Sequence, residues 1–162
     1  MKQVVEFLST LLHLLGMLLL VGGHLWFAFF SAVAERRHDR EGESFLARVL
    51  PVMANMFGVG VLLLFSSGLV KLLLWGEPGL IFLPDPYGWI LLSKLILYMV
   101  IVTNGLWIER RYLPIVLQQA SQPSDRLRLG AAWWHVKRRT RLNFLLILVV
   151  LVLGETLRYA KL

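Results

Sequence analysis

The sequence contains no cysteine. Disulfides, iron–sulfur clusters and thiolate metal sites are therefore excluded, and the absence says little about compartment. Acidic residues are scarce too, with ten Asp and Glu against seventeen Lys and Arg, a formal charge of +7. Such a charge would suit a nucleic-acid binder. However, the basic residues sit in the connections between apolar blocks, and no aromatic residues are interleaved with them in a way suited to stacking on bases. No nucleic-acid partner is expected. No P-loop, GxSxG or HExxH pattern occurs, and there is no internal repeat or low-complexity stretch. The N-terminus does not read as a cleavable signal peptide, because its apolar run is too long and ends in FFSAVAERR.

Apolar sequence in long blocks is what the chain does have. Hydrophobic residues make up 57% of it, well above the share usual in a soluble domain. The blocks have membrane-spanning length, which predicts an all-α, polytopic four-helix bundle forming one domain over 1–162. The spans are expected at 4–34, 45–75, 89–110 and 142–159. A charged connector at 35–44, a Gly- and Pro-rich loop at 76–88 and a long basic connector at 111–141 separate them. Pro51 is expected in the first turns of the second span, where proline is tolerated, and Pro114 is expected to end or kink an extension of the third.

The basic residues orient the bundle. Arg36, Arg37, Arg40 and Arg48 flank the first connector, and eight Lys and Arg between Arg110 and Arg141 flank the third. Only Lys2, Arg158 and Lys161 lie at the other end. Both basic connectors are thus expected in the cytoplasm, with both termini and the 76–88 loop outside. Trp75, Tyr87 and Trp89 would form an outer aromatic belt, and Trp107, Tyr112, Trp133 and Trp134 an inner one.

Ionisable groups inside the membrane are costly and usually face the bundle interior. Here they are His13, His24, Lys71, Lys94 and Glu155. His13 and His24 are eleven residues apart, about 1100° of helix, so an unbroken α-helix would set them on one stripe about 16 Å apart along the axis. Counting down from the outer ends of their spans places His13 and Lys94 level with each other in the outer half. Lys71 and Glu155 lie nearer the surface, within snorkelling reach. His24 falls in the inner half beside Asn55 and Asn104, either of which could hydrogen-bond it. His13 and Lys94 admit two readings. They could be a ligand pair for a metal cofactor, since imidazole suits iron, copper and zinc and a neutral amine also ligates. Alternatively, Lys94 pairs with Glu155 while His13 bonds a neighbouring hydroxyl or carbonyl. Met17, one turn from His13, could add a thioether, although methionine is more often a packing filler. His38 reads as a solvated loop residue and His135 as an interfacial anchor.

Two stretches carry a resemblance. LLHLLGMLLLVGGHLWFAFF places a glycine, Gly23, ten residues after His13. PYGWILLSKLILYMVIVTNGLWIERR runs from Tyr87 and Gly88 through Lys94 and Asn104 to Arg110 and Arg111. Together they resemble the four-helix membrane unit shared by HemJ-type protoporphyrinogen oxidases and CopD-like copper-resistance membrane proteins. The chain departs from the HemJ-type pattern at residues 27–32, which read FAFFSA where a Tyr-Leu-Pro-Arg run is usual. The resemblance implies haem b held by His13 and Lys94, with Met17, Tyr98, Ser66 and Ser67 around it. It also implies a bacterial inner-membrane location and electron transfer linked to quinone or to a larger respiratory assembly, with self-association of the chain compatible. The CopD side of the resemblance implies copper passed along His13, Met17 and His24. A third expectation is an accessory subunit without a cofactor.

Overall fold

The computed structural model describes residues 2–74, 86–121 and 129–159. Every described residue except His38 and Asp39 is helical. Four long helices result. We call them α1 (Lys2–Arg37), α2 (Arg40–Leu74), α3 (Pro86–Trp107, continued by Ile108–Tyr112 and Leu113–Ser121) and α4 (Leu129–Tyr159). Three of them, α1, α2 and α3, are long and apolar enough to cross a membrane. α4 begins with the basic stretch AAWWHVKRRTR, and its uninterrupted low-charge stretch lies beyond it.

The helices reach further than their apolar blocks. The expected ten-residue connector between the first two spans shrinks to His38 and Asp39. His38 takes a left-handed φ of 51° and closes α1, its N–H bonding to Glu35 O. Asp39 opens α2, its Oδ1 accepting the Gly42 N–H at 2.9 Å, as an N-capping carboxylate does. Pro51 consequently lies well inside α2 rather than in its first turns. Pro114 does not end α3. A π turn, Ile108–Tyr112, precedes it, and this wider turn takes up the ring that would otherwise clash with the carbonyl one turn back. α4 starts at Leu129, thirteen residues before the expected 142. The 76–85 part of the expected outer loop and Trp75 lie outside the described residues.

The main core gathers near the ends carrying the basic residues. There Phe27, Leu46, Ala47, Val116, Trp133 and Val136, one or more from each helix, are essentially shut off from solvent. Phe27 meets the Trp133 ring edge-on at 5.8 Å. Trp133 is thus a core residue and leaves the expected inner belt to Trp107 and Trp134, both half exposed. Tyr112 stacks on His135 at 5.1 Å. Polar links hold the same end. Lys137 Nζ, nearly buried, lies 3.1 Å from Glu43 and 3.6 Å from Glu35, and Arg141 Nη2 donates to Glu35 Oε2 at 2.7 Å. These pairs join α1, α2 and α4. Deeper in, Asn104 of α3 donates to Asn143 Oδ1 of α4 at 2.7 Å and accepts from Arg139 Nη1 at 2.6 Å.

Toward the other end the packing thins. α1 lies against α2, and α3 against α4. Long apolar side chains such as Phe7, Leu11, Leu18, Leu62 and Trp89 are exposed there, as a lipid-facing surface would be.

Candidate functional site

The buried polar groups of this thinner half collect around His13. Ser67 Oγ donates to Leu63 O at 2.6 Å, which uses its single proton. It must therefore accept at the 2.9 Å contact with His13, so the imidazole donates from Nδ1. This fixes the tautomer and leaves Nε2 with its lone pair. Ser9, one turn back on α1, donates to Ser67 O at 2.9 Å and ties the same two helices. The close approach behind this network is made by glycines. A Cβ on Gly16 would come within 3.0 Å of Gly60 O and of Leu64 Cγ. Gly16→Leu is therefore expected to cost about 1–3 kcal/mol by overpacking and to pull His13 off Ser67. Gly22→Ala, whose Cβ would meet nothing within 4 Å, is expected to cost nothing. Thermal unfolding in detergent reads both.

Lys94 enters from α3. Its amine lies over Gly154 of α4, where a Cβ would stand 3.2 Å from Nζ, so the glycine makes room for it. One turn further along, Tyr98 donates to Val61 O of α2 at 2.6 Å. That bond sets the relative heights. Lys94 is four residues above Tyr98 and Ser67 six above Val61, so the two backbone positions lie within about one helical turn of each other at 1.5 Å per residue.

The remaining expected site residues divide. Ser67 and Tyr98 belong to the network just described. Met17 is half-buried one turn from His13. Ser66 is exposed, and its hydroxyl bonds back to Leu63 O of its own helix. His24 does not share the His13 stripe. A π turn, Leu18–Gly22, separates them, and its extra residue sets everything beyond it back by about 100°. His24 is buried and lies against Phe57 at 4.1 Å between ring centroids. Its Nδ1 donates to Leu20 O at 2.8 Å rather than bonding either expected asparagine. Asn55 is exposed, and Asn104 is turned to Asn143 and Arg139. Sequence reasoning missed Ser9, Asn143 and Gly154. A serine one turn before His13 and an asparagine interrupting an apolar run were the available signals; nothing marked Gly154.

A histidine whose Nδ1–H is held by an oxygen and whose Nε2 has no hydrogen-bond partner among the described residues is arranged as metal ligands usually are. A second donor, the Lys94 amine, belongs to the same level of the bundle, within about one helical turn. An imidazole and an amine are both donors that a metal cofactor accepts. They do not form a protein-only metal cage: among the described residues, no group of three His, Cys, Asp or Glu gathers to hold an ion. Comparison with protein-family models, with curated proteins and with solved structures gave no match.

Proposed function

We propose that the chain is a b-type haem protein of a bacterial inner membrane that carries electrons, in which His13 and Lys94 would hold the haem. In this reading all four helices cross the bilayer, the basic ends lie in the cytoplasm and both termini lie outside. The observation that carries it is the relay Leu63 O, Ser67 hydroxyl, His13 Nδ1, which leaves Nε2 as a ligand at the height of Lys94. A haem held this way supplies a one-electron couple. The protein's own part is to hold the imidazole through Ser67, to seat the amine on Gly154, and to surround the group with apolar helix faces that keep water out. The CopD-like copper alternative would need His13, Met17 and His24 to line one path. It is less well supported, because the π turn and the Leu20 bond give His24 different surroundings. The test is the visible spectrum of protein purified after expression with ample haem. Soret and α bands in stoichiometric amount are expected; a colourless protein ends the proposal, and copper bound without haem would favour the alternative.

A further inference from the structure

His24 and Thr140 are buried polar groups that the ligand pair does not use, and both line the same space. A cavity of about 130 Å³ lies between the four helices near mid-bundle, walled by Leu20, Phe57, Val61 and Ile101. His24 and Thr140 are each 3% exposed. The His24 Nδ1–H is held by Leu20 O, so Nε2 can only accept a hydrogen bond. Among the described residues, neither His24 Nε2 nor the Thr140 hydroxyl has a hydrogen-bond partner. Asn143, already bonded to Asn104 and Ile101 O, and the exposed Glu109 complete the polar lining, so His24 Nε2 and the Thr140 hydroxyl are the buried groups that call for a polar ligand atom. The walls also open sideways. Gly58 of α2 and Gly105 of α3 line the cavity, and a Cβ on either would meet nothing within 4 Å. Gly58 and Leu106, on facing helices, are exposed, so the opening lies between α2 and α3 where lipid would be.

Size narrows the ligand. An apolar cavity of about 150 Å³ accepts one benzene ring, so this one takes a single ring, its substituents reaching into the opening between α2 and α3, and no macrocycle. The ring must carry a hydroxyl, because Nε2 needs a donor, and it must arrive from the bilayer. We infer that the cavity is a side-entry site for the ring of a membrane-soluble hydroquinone, with His24 Nε2 accepting the hydrogen bond of a ring hydroxyl. The cavity and its polar groups specify a hydroxyl-bearing ring; the choice of a hydroquinone among such molecules rests on the electron-transfer reading. The oxidised form presents only carbonyl oxygens, which can accept from the Thr140 hydroxyl but cannot bond Nε2, so the reduced form alone partners both groups and is preferred.

The test is equilibrium binding of duroquinol and duroquinone to the protein in nanodiscs, kept anaerobic. Duroquinol is expected to bind at least tenfold more tightly than duroquinone. His24→Phe keeps a ring against Phe57 and should abolish that preference. Gly58→Leu grows from an exposed position into the opening and should weaken both probes tenfold or more. Ser66→Ala should change neither. Equal affinity for the two probes, no saturable binding, or duroquinol binding untouched by both substitutions would overturn the inference. Saturable, redox-selective binding by a protein without a Soret band would leave this site standing and remove the haem; haem bands without duroquinol binding would do the reverse.

Discussion

His13→Ala is expected to abolish the Soret and α bands, and Lys94→Ala to abolish or shift them. The difference follows from what each group is. Imidazole is the stronger of the two ligands and is held by a hydrogen-bonded neighbour, whereas the amine hangs on a flexible stem. The surrounding residues grade the effect. Ser67→Ala removes the acceptor of the His13 Nδ1–H and leaves the ligand atom in place. Haem affinity should then fall about 10–100-fold, with the bands still present in excess haem. Gly154→Val acts on the other side, setting a branched side chain whose Cβ would stand 3.2 Å from Nζ, and should shift the spectrum in the direction of Lys94→Ala without touching the lysine. Ser66→Ala serves as the control, since that hydroxyl is exposed and bonded within its own helix. Haem titration followed by absorbance reads the whole series. Equal behaviour of Ser67→Ala and Ser66→Ala would mean that the relay does not serve a ligand.

Much of this arrangement was legible in the chain, and the parts that were not have physical causes. The existence of the helices follows from uninterrupted apolar runs, and three of the four are long and apolar enough to cross a membrane. Span ends were set too short, because charge was read as connector. The stretch 129–141 is basic, yet Ala132, Trp133, Val136 and Thr140 recur at helical spacing and form one buried face. Lys137 shares that face, and Arg138, Arg139 and Arg141 lie off it. The height match of His13 and Lys94 needed only counting, and a neighbouring hydroxyl for His13 was among the readings. That the hydroxyl is Ser67 depends on how α1 crosses α2 at Gly16 and Gly60, a contact that no local pattern announces. The π turns are equally silent, and the one at Leu18–Gly22 is what removed His24 from the stripe that spacing alone assigned it.

The largest loss of stability is expected from Glu35→Gln combined with Glu43→Gln. The Lys137 side chain is 9% exposed, and these two carboxylates are its ion-pair partners among the described residues. Removing both strands a nearly buried ammonium, a situation that costs about 3 kcal/mol, the lower end for a broken buried pair because Glu43 is itself a third exposed. Either single substitution leaves one partner. Glu35→Gln also releases Arg141, but that pair is more than two-fifths exposed on both sides and contributes under about 1 kcal/mol. Lys137→Met should be nearly harmless. It retains the apolar stem against the core and removes the charge, while Glu35 keeps Arg141 and Glu43 stays within reach of water. The deciding variant is therefore the triple, Glu35→Gln, Glu43→Gln and Lys137→Met. Thermal unfolding in detergent should show the double variant melting well below the wild type and the triple recovering most of the difference. A triple variant as unstable as the double would mean that the carboxylates act through something other than this lysine. Because these links join α1, α2 and α4 at the end opposite His13, the double variant should also leave the haem spectrum of the surviving folded fraction unchanged.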